Sequence, residues 1–155
     1  MDQQRSGPFD IWVDIAKIRI ARASGGYAGA FDYEINVLAG EVPPGVQIEA
    51  LGVHTLAPVE FTFHGERCVR ARSRREGYVA RHSVTFDPVR VTSGALRRFV
   101  LHGVRQFTRE FVQSIRDENS SYRFAAHSLI EIRTSIGLFA MTVPFSVVYV
   151  AQPET

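Results

Sequence analysis

Arg70, Arg72 and Arg74 alternate with Val69, Ala71 and Ser73. On an extended strand, alternate residues stand about 6.5–7 Å apart on one face. Three guanidinium groups at that pitch suit successive phosphates of one polyanion strand, because each planar fork offers parallel N–H donors to a pair of oxygens. Tyr78 follows closely and Arg81 lies on the next strand. Aromatic and guanidinium planes both stack on bases. The same ladder serves equally to pair with the carboxylates of Asp32 and Glu34, or with a neighbouring subunit. A second basic set is Arg98, His102, Arg105, Arg109 and Arg116. On one helix, the spacings of 7, 4 and 7 between its arginines place them within about 40° of one another. The plainer reading of that stripe is a solvated outer face.

Other chemistry is thinner. His64, Glu66 and Cys68 alternate, with His82 on the neighbouring strand. Imidazole, carboxylate and thiolate all ligate zinc, and a thiolate near arginines is the more reactive form. No C-x-x-C or H-x-x-x-H spacing accompanies them. Asp10 with Asp14, and Asp32 with Glu34, are same-face carboxylate pairs, the ordinary wet side of a strand. The chain has no G-x-S-x-G elbow, P-loop or G-x-G-x-x-G. Its glycine-rich Gly25–Gly29 lacks the lysine and following helix of a phosphate site. No catalytic residue, metal site or cofactor is assigned.

The elements that would hold these residues read mostly as strands. Ile11, Val13 and Ile15 share one phase, and Ile18 and Ile20 the other. A one-residue phase shift signals a bulge or a strand crossing between environments. Gly25-Gly26 reads as a turn. Phe31, Tyr33, Ile35 and Val37 alternate with Asp32, Glu34 and Asn36, giving a half-buried strand with an acidic face. Residues 40–45 read as a loop, Gln47–Val53 and Val59–Phe63 as short strands, and His64-Gly65-Glu66 as a turn. Residues 67–75 and 78–86 read as a hairpin about Glu76-Gly77.

The spacing of Leu96, Phe99, Val100, Gly103, Val104, Phe107, Phe111 and Ile115 predicts a long amphipathic helix over 93–117, capped by Thr92 or Ser93. Two long strands follow as a C-terminal hairpin about Ser135-Ile136-Gly137. The last strand is nearly as apolar on its Leu138–Val150 face as on its Phe139–Tyr149 face, so both sides are expected to be covered. Pro144 cannot donate to a ladder and marks an edge or a bulge.

Charge is unevenly spread. Seventeen of the 18 basic residues are arginine. Residues 1–66 carry four bases and nine acids, residues 67–109 eleven bases and two acids, and residues 110–155 three bases and five acids. The formal net charge of +2 conceals this asymmetry. Such blocks bear on partners rather than on fold. The single Cys68 excludes an intramolecular disulfide, which disfavours a disulfide-built secreted scaffold. The start MDQQRSGPFD is polar, so no secretory leader is expected. No run approaches about 18 apolar residues, so no membrane span is expected, and the expected compartment is cytoplasmic.

These readings converge on one α+β domain over residues 1–155, with residues 1–8 as a flexible tail. Seven to eight antiparallel strands form a sheet or sandwich, the long helix packs on a sheet, and the hairpin closes the chain. Functionally, the leading expectation is a non-catalytic assembly or binding module that associates with itself or with another protein. Its candidate contacts are Arg70, Arg72, Arg74, Arg81, Arg98, Arg105, Arg109 and Arg116. Two alternatives stand behind it: a small-molecule or catalytic pocket between helix and sheet, and RNA or DNA binding through the basic 67–109 region.

Overall fold

The computed structural model describes residues 7–15, 17–56, 64–65, 68–76, 79–117 and 121–152. Over those residues the chain is almost entirely strand, in the order β1 (Phe9–Ile15), β2 (Ile18–Ala23), β3 (Gly26–Ala39), β4 (Gln47–Leu56), β5 (His64–Gly65), β6 (Cys68–Glu76), β7 (Val79–Arg90), β8 (Leu96–Phe107), α1 (Arg109–Asp117), β9 (Ser121–Thr134) and β10 (Gly137–Ala151). The expected α+β fold with seven to eight strands is therefore corrected to a ten-stranded sheet with one nine-residue helix. The expected tail over 1–8 and strand over Val59–Phe63 lie largely outside the described residues. Gly7 and Pro8 are described: the Pro8 carbonyl accepts the Gly40 N–H at 2.6 Å.

The predicted helix over 93–117 fails over its first two thirds, and the cause is visible at two positions. Along β8 the odd positions Phe99, Gly103 and Phe107 are buried, so the element has the period-two burial of a strand. Gly103 and Arg105 occupy two of those inward positions where a large apolar residue would normally stand. A Cβ on Gly103 would meet Phe31 Cζ at 2.6 Å, so glycine is what lets the Phe31 ring cross beneath β8. Arg105 turns toward Tyr149, to whose hydroxyl it donates. With Val100 and Val104 on the opposite face, the remaining apolar residues mimic a 3.6-residue period. At the expected cap, Thr92–Ala95 instead forms a turn, with Thr92 O accepting Ala95 N–H at 3.0 Å and Gly94 at φ +79°. The helix begins only at Arg109, where Thr108 Oγ1 accepts the Phe111 N–H at 3.2 Å, the N-cap arrangement.

The phase shift after Ile15 marks a change of partner. β1 pairs antiparallel with the second half of β3, from Phe9 opposite Ala39 to Ile15 opposite Tyr33. β2 then pairs with the start of β3, and its other edge runs parallel to the end of β10, Ile18 opposite Tyr149. β2 thereby joins two half-sheets. One comprises β5, β8, β3 and β1; the other comprises β10, β9, β4, β7 and β6. His64-Gly65, expected as a turn, is instead a short strand against β8.

The two half-sheets face each other over a single core. Phe9, Ile11, Val13, Tyr33, Ile35 and Val37 from one side meet Ile48, Leu51, Val53, Val84, Ile130 and Ile132 from the other, all buried. The Tyr33 and Phe145 rings meet edge-on at 5.9 Å, as do Phe9 and Phe139 at 5.4 Å. α1 caps one end, burying Val112 and Ile115 and stacking Phe111 on Phe107 at 5.6 Å.

Candidate functional site

Alternation along each strand sends one set of side chains into the core and the other onto an outer face. On the β1–β3–β8 half, the outward set includes Asp10, Trp12 and Asp14 of β1, and Asp32, Glu34 and Asn36 of β3. Register places Trp12, Asn36 and Arg98 in one row, and Asp14 beside Glu34 in the next. Asn36 is only 1% exposed although it faces outward. Its amide donates to Asp14 Oδ2 at 3.1 Å, and its carbonyl oxygen accepts from Arg98 Nε at 3.1 Å. This relay holds the one arginine of the row against the sheet. Trp12 stands above it, 38% exposed, between two aspartates.

The opposite outer face carries both signs among its described side chains, with Arg123 and Arg133 beside Glu131 and Glu49. On β9 the outward residues are Arg123, His127, Glu131 and Arg133. The register continues across three further strands. Arg133 lies opposite Leu138 and Ala50, Ala50 opposite Thr85, and Thr85 opposite Arg70. In the next row Glu131 lies opposite Gly52, Gly52 opposite Ser83, and Ser83 opposite Arg72. In the third row His54 lies opposite Arg81, and Arg81 opposite Arg74. Arg70 and Arg72 are thus the register partners of Thr85 and Ser83, and Arg74 that of Arg81.

Small residues in the middle of these rows leave a trough of about 430 Å³, floored by Ala50, Gly52, Ser83 and Thr85. Arg133 and Leu138 form its bank on the β9–β10 side, where Leu138 is 59% exposed, and Glu49 lines it beside Ala50. At one end Glu131 Oε1 lies 3.3 Å from His54 Nε2. Gly52 sits beneath that pair; a Cβ there would stand 3.5 Å from Glu131 Cβ, an ordinary contact. The outer face of the last strand, expected to be covered, is exposed in the isolated chain from Leu138 to Ser146.

The expected helical stripe of Arg98, His102, Arg105, Arg109 and Arg116 is not one surface. Arg98 belongs to the acidic face. Arg105 points inward, its guanidinium 4.9 Å from the Phe107 ring centre and 5.2 Å from that of Tyr149. Burial raises the Tyr149 pKa, and the neighbouring Arg105 charge partly opposes that rise. Arg116 lies 5.7 Å from the Tyr27 ring centre and donates to the Gln152 carbonyl at 3.3 Å. Arg109 borders a surface hollow of about 320 Å³ with Arg22 and Tyr27 beside the Gly25-Gly26 turn. Among the described residues no long helix lies on a sheet, so the expected pocket between the two has no counterpart there.

The candidate cluster of His64, Glu66, Cys68 and His82 lies outside what is described: Glu66 entirely, the other three beyond their backbones. Among the described residues, no three His, Cys, Asp or Glu side chains gather as a metal site, and no helix is long and apolar enough to cross a membrane. Sequence reasoning passed over Arg123, Arg133 and the His54–Glu131 pair as parts of this outer face. Their signal was present in the alternation of β9, but it became a surface only when β4 was placed between β9 and β7.

Fold and faces together define a β-sandwich with Asp10, Asp14, Asp32 and Glu34 on one outer face. No protein-family model matches the chain, and no curated protein matches it. Among solved structures, the major pilin subunit of Bacillus cereus is similar over 93% of this chain, at 11% identity and a TM-score of 0.44. This chain spans 40% of that pilin's length. A likeness so distant carries no weight for function.

Proposed function

We propose that this chain is a self-associating assembly module in which the acidic face of one copy meets the face of the next that holds the β6 arginine positions. What supports this reading is an acidic row on one outer face and a series of arginine register positions on the other. Asp10, Asp14, Asp32 and Glu34 lie on one, and Arg123, Arg133 and the register positions of Arg70, Arg72, Arg74 and Arg81 lie on the other. A contact between two different faces is heterologous, so it propagates into a ring or a filament rather than closing as a two-fold dimer. Opposite potentials steer encounter and fix orientation, and salt screens them over about 8–10 Å. The exposed Leu138 and Trp12 supply apolar surface within those faces. Absolute molar mass by light scattering tests the reading. The expected result is a mass well above the 17.4 kDa of one chain that rises with concentration and falls with added salt. A 17.4 kDa species at every concentration and salt overturns it.

A second reading, binding of a single-stranded polyanion, draws on the same arginine positions, where Arg72 is one row from Arg70 and Arg74. It predicts affinity for a homopolymeric single-stranded nucleic acid that falls steeply with salt. Joint substitution of Arg70, Arg72 and Arg74 by alanine abolishes that affinity; unchanged binding rejects the reading.

A further inference from the structure

We infer that the row formed by His64, His102 and Asp32 on three neighbouring strands is a site for a divalent transition metal ion such as zinc. It stands apart from the self-association proposed above. Backbone register carries it. β5 pairs with β8 so that His64 lies opposite His102. β8 pairs with β3 so that His102 lies opposite Asp32. Residues directly opposite across antiparallel strands share a face, with Cβ atoms about 4.5–5.5 Å apart. Two histidines and an aspartate therefore fall in one row of one outer face, the face on which Asp32 is exposed. Glu34 follows Asp32 on that face of β3, which places a second carboxylate one row along. On β8 the same-face neighbours of His102 are Val100 and Val104, neither of them a competing cation.

The donor set fixes the class of ion. Imidazole nitrogen with carboxylate oxygen suits zinc and its neighbours, whereas calcium and magnesium take shells of oxygen. Three protein donors leave a coordination position for water, and an outer face is open to it. β5 stands at the end of the strand order, and its pairing with β8 covers only His64 and Gly65. An ion shared by His64 and His102 would pin that short strand to β8, so binding is linked to the stability of the fold.

Calorimetric titration of the full chain with zinc chloride, at a pH where imidazole is neutral, is the test. A single ion per chain is expected. His64→Ala, His102→Ala and Asp32→Ala should each weaken binding by about 10-fold or more, since loss of an outer-shell partner alone costs roughly 10–100-fold. Asp32→His keeps a donor at the same register position and should retain the binding that Asp32→Ala loses. His127→Ala, on the other outer face, should bind like wild type. Zinc that does not bind, or binding that survives all three alanine substitutions, overturns the inference. Cobalt(II) bound to wild-type protein gives a readout that no variant's folding can disturb. Visible d–d bands are expected without a thiolate-to-metal charge-transfer band; a thiolate band assigns the ion to Cys68 and overturns the row. Zinc should also raise the melting midpoint of wild type and leave that of His102→Ala unmoved, because an ion bound only by the folded state stabilises it. Equal shifts in the two proteins count against the row.

Discussion

The Tyr33 hydroxyl donates to Ser128 Oγ at 3.1 Å across the buried core, tying β3 of one half-sheet to β9 of the other. Two polar groups in a core are tolerated because they meet each other. Ser128→Ala and Tyr33→Phe are each expected to lower unfolding stability by about 1–3 kcal/mol. The double variant should cost less than the sum, with a coupling of roughly 0.5–3 kcal/mol for residues in direct contact. Urea denaturation of the four proteins measures the cycle, and strict additivity would contradict the contact.

The same tyrosine makes stability fall in alkali. Burial raises its pKa well above the usual 10.0, and the Ser128 bond only partly offsets that. Above pH 10 the unfolded chain gives up the phenolic proton while the folded chain keeps it. The unfolded state then binds fewer protons, so unfolding becomes easier as pH rises. The contribution is fully present below pH 10 and is lost between there and the raised folded value. Urea midpoints followed from neutral pH past pH 10 should decline, and the decline should be shallower in Tyr33→Phe.

Arg105 and Tyr149 give a second alkaline signature. Tyr149 is also raised by burial, with the Arg105 charge and hydrogen bond pulling it back down. Arg105→Met keeps a long apolar stem and removes both effects, so Tyr149 should ionise at still higher pH. Ultraviolet difference titration reads this directly, with Tyr149→Phe identifying the transition. The same substitution removes the guanidinium from two rings, a loss of about 0.5–2 kcal/mol.

Gly103→Ala should destabilise by about 1–3 kcal/mol through overpacking. The new Cβ would lie 2.6 Å from Phe31 Cζ and 3.0 Å from Cε1, a ring held in the core. Phe31→Leu removes those ring atoms, so the alanine should cost much less in that background. Thermal melts of the two single variants and the double variant decide it. Equal cost in both backgrounds would mean the ring is not what excludes the side chain.

Asn36→Ala tests the relay on the acidic face. It deletes the bridge between Asp14 and Arg98 and exposes part of the sheet beneath. A loss of about 1–3 kcal/mol is expected, with association weakened because Arg98 is no longer held in its row. A stable variant with unchanged association would make the relay incidental.

Much of the strand content was legible in the sequence. The alternation of Phe31–Val37, of Ile130 and Ile132 with Glu131 and Arg133, and of Phe139–Tyr149 marks β3, β9 and β10, since period two is imposed by the pleat itself. The phase shift at Ile15–Ile18 signalled the change of partner between β1 and β2, and Pro144 marked a strand whose far edge is paired only at Tyr149–Ala151. β8 misled for a physical reason. Its inward positions hold a glycine chosen by Phe31 and an arginine chosen by Tyr149, neighbours that no window of local sequence contains.

The site divides in the same way. The sequence by itself determined which residues are charged, that acids and bases fall in separate blocks, and which side of each strand they share. It contained Trp12 between two aspartates and the arginine ladder of β6. Only the tertiary structure decided that β4 lies between β9 and β7, so that Ala50, Gly52, Ser83 and Thr85 meet as a trough with Arg133 beside it. It likewise decided that Arg98 and Arg105, seven apart, go to opposite sides of one strand. Local periodicity sets which face a residue takes; strand order sets which neighbours it meets there, and strand order depends on contacts distant in sequence.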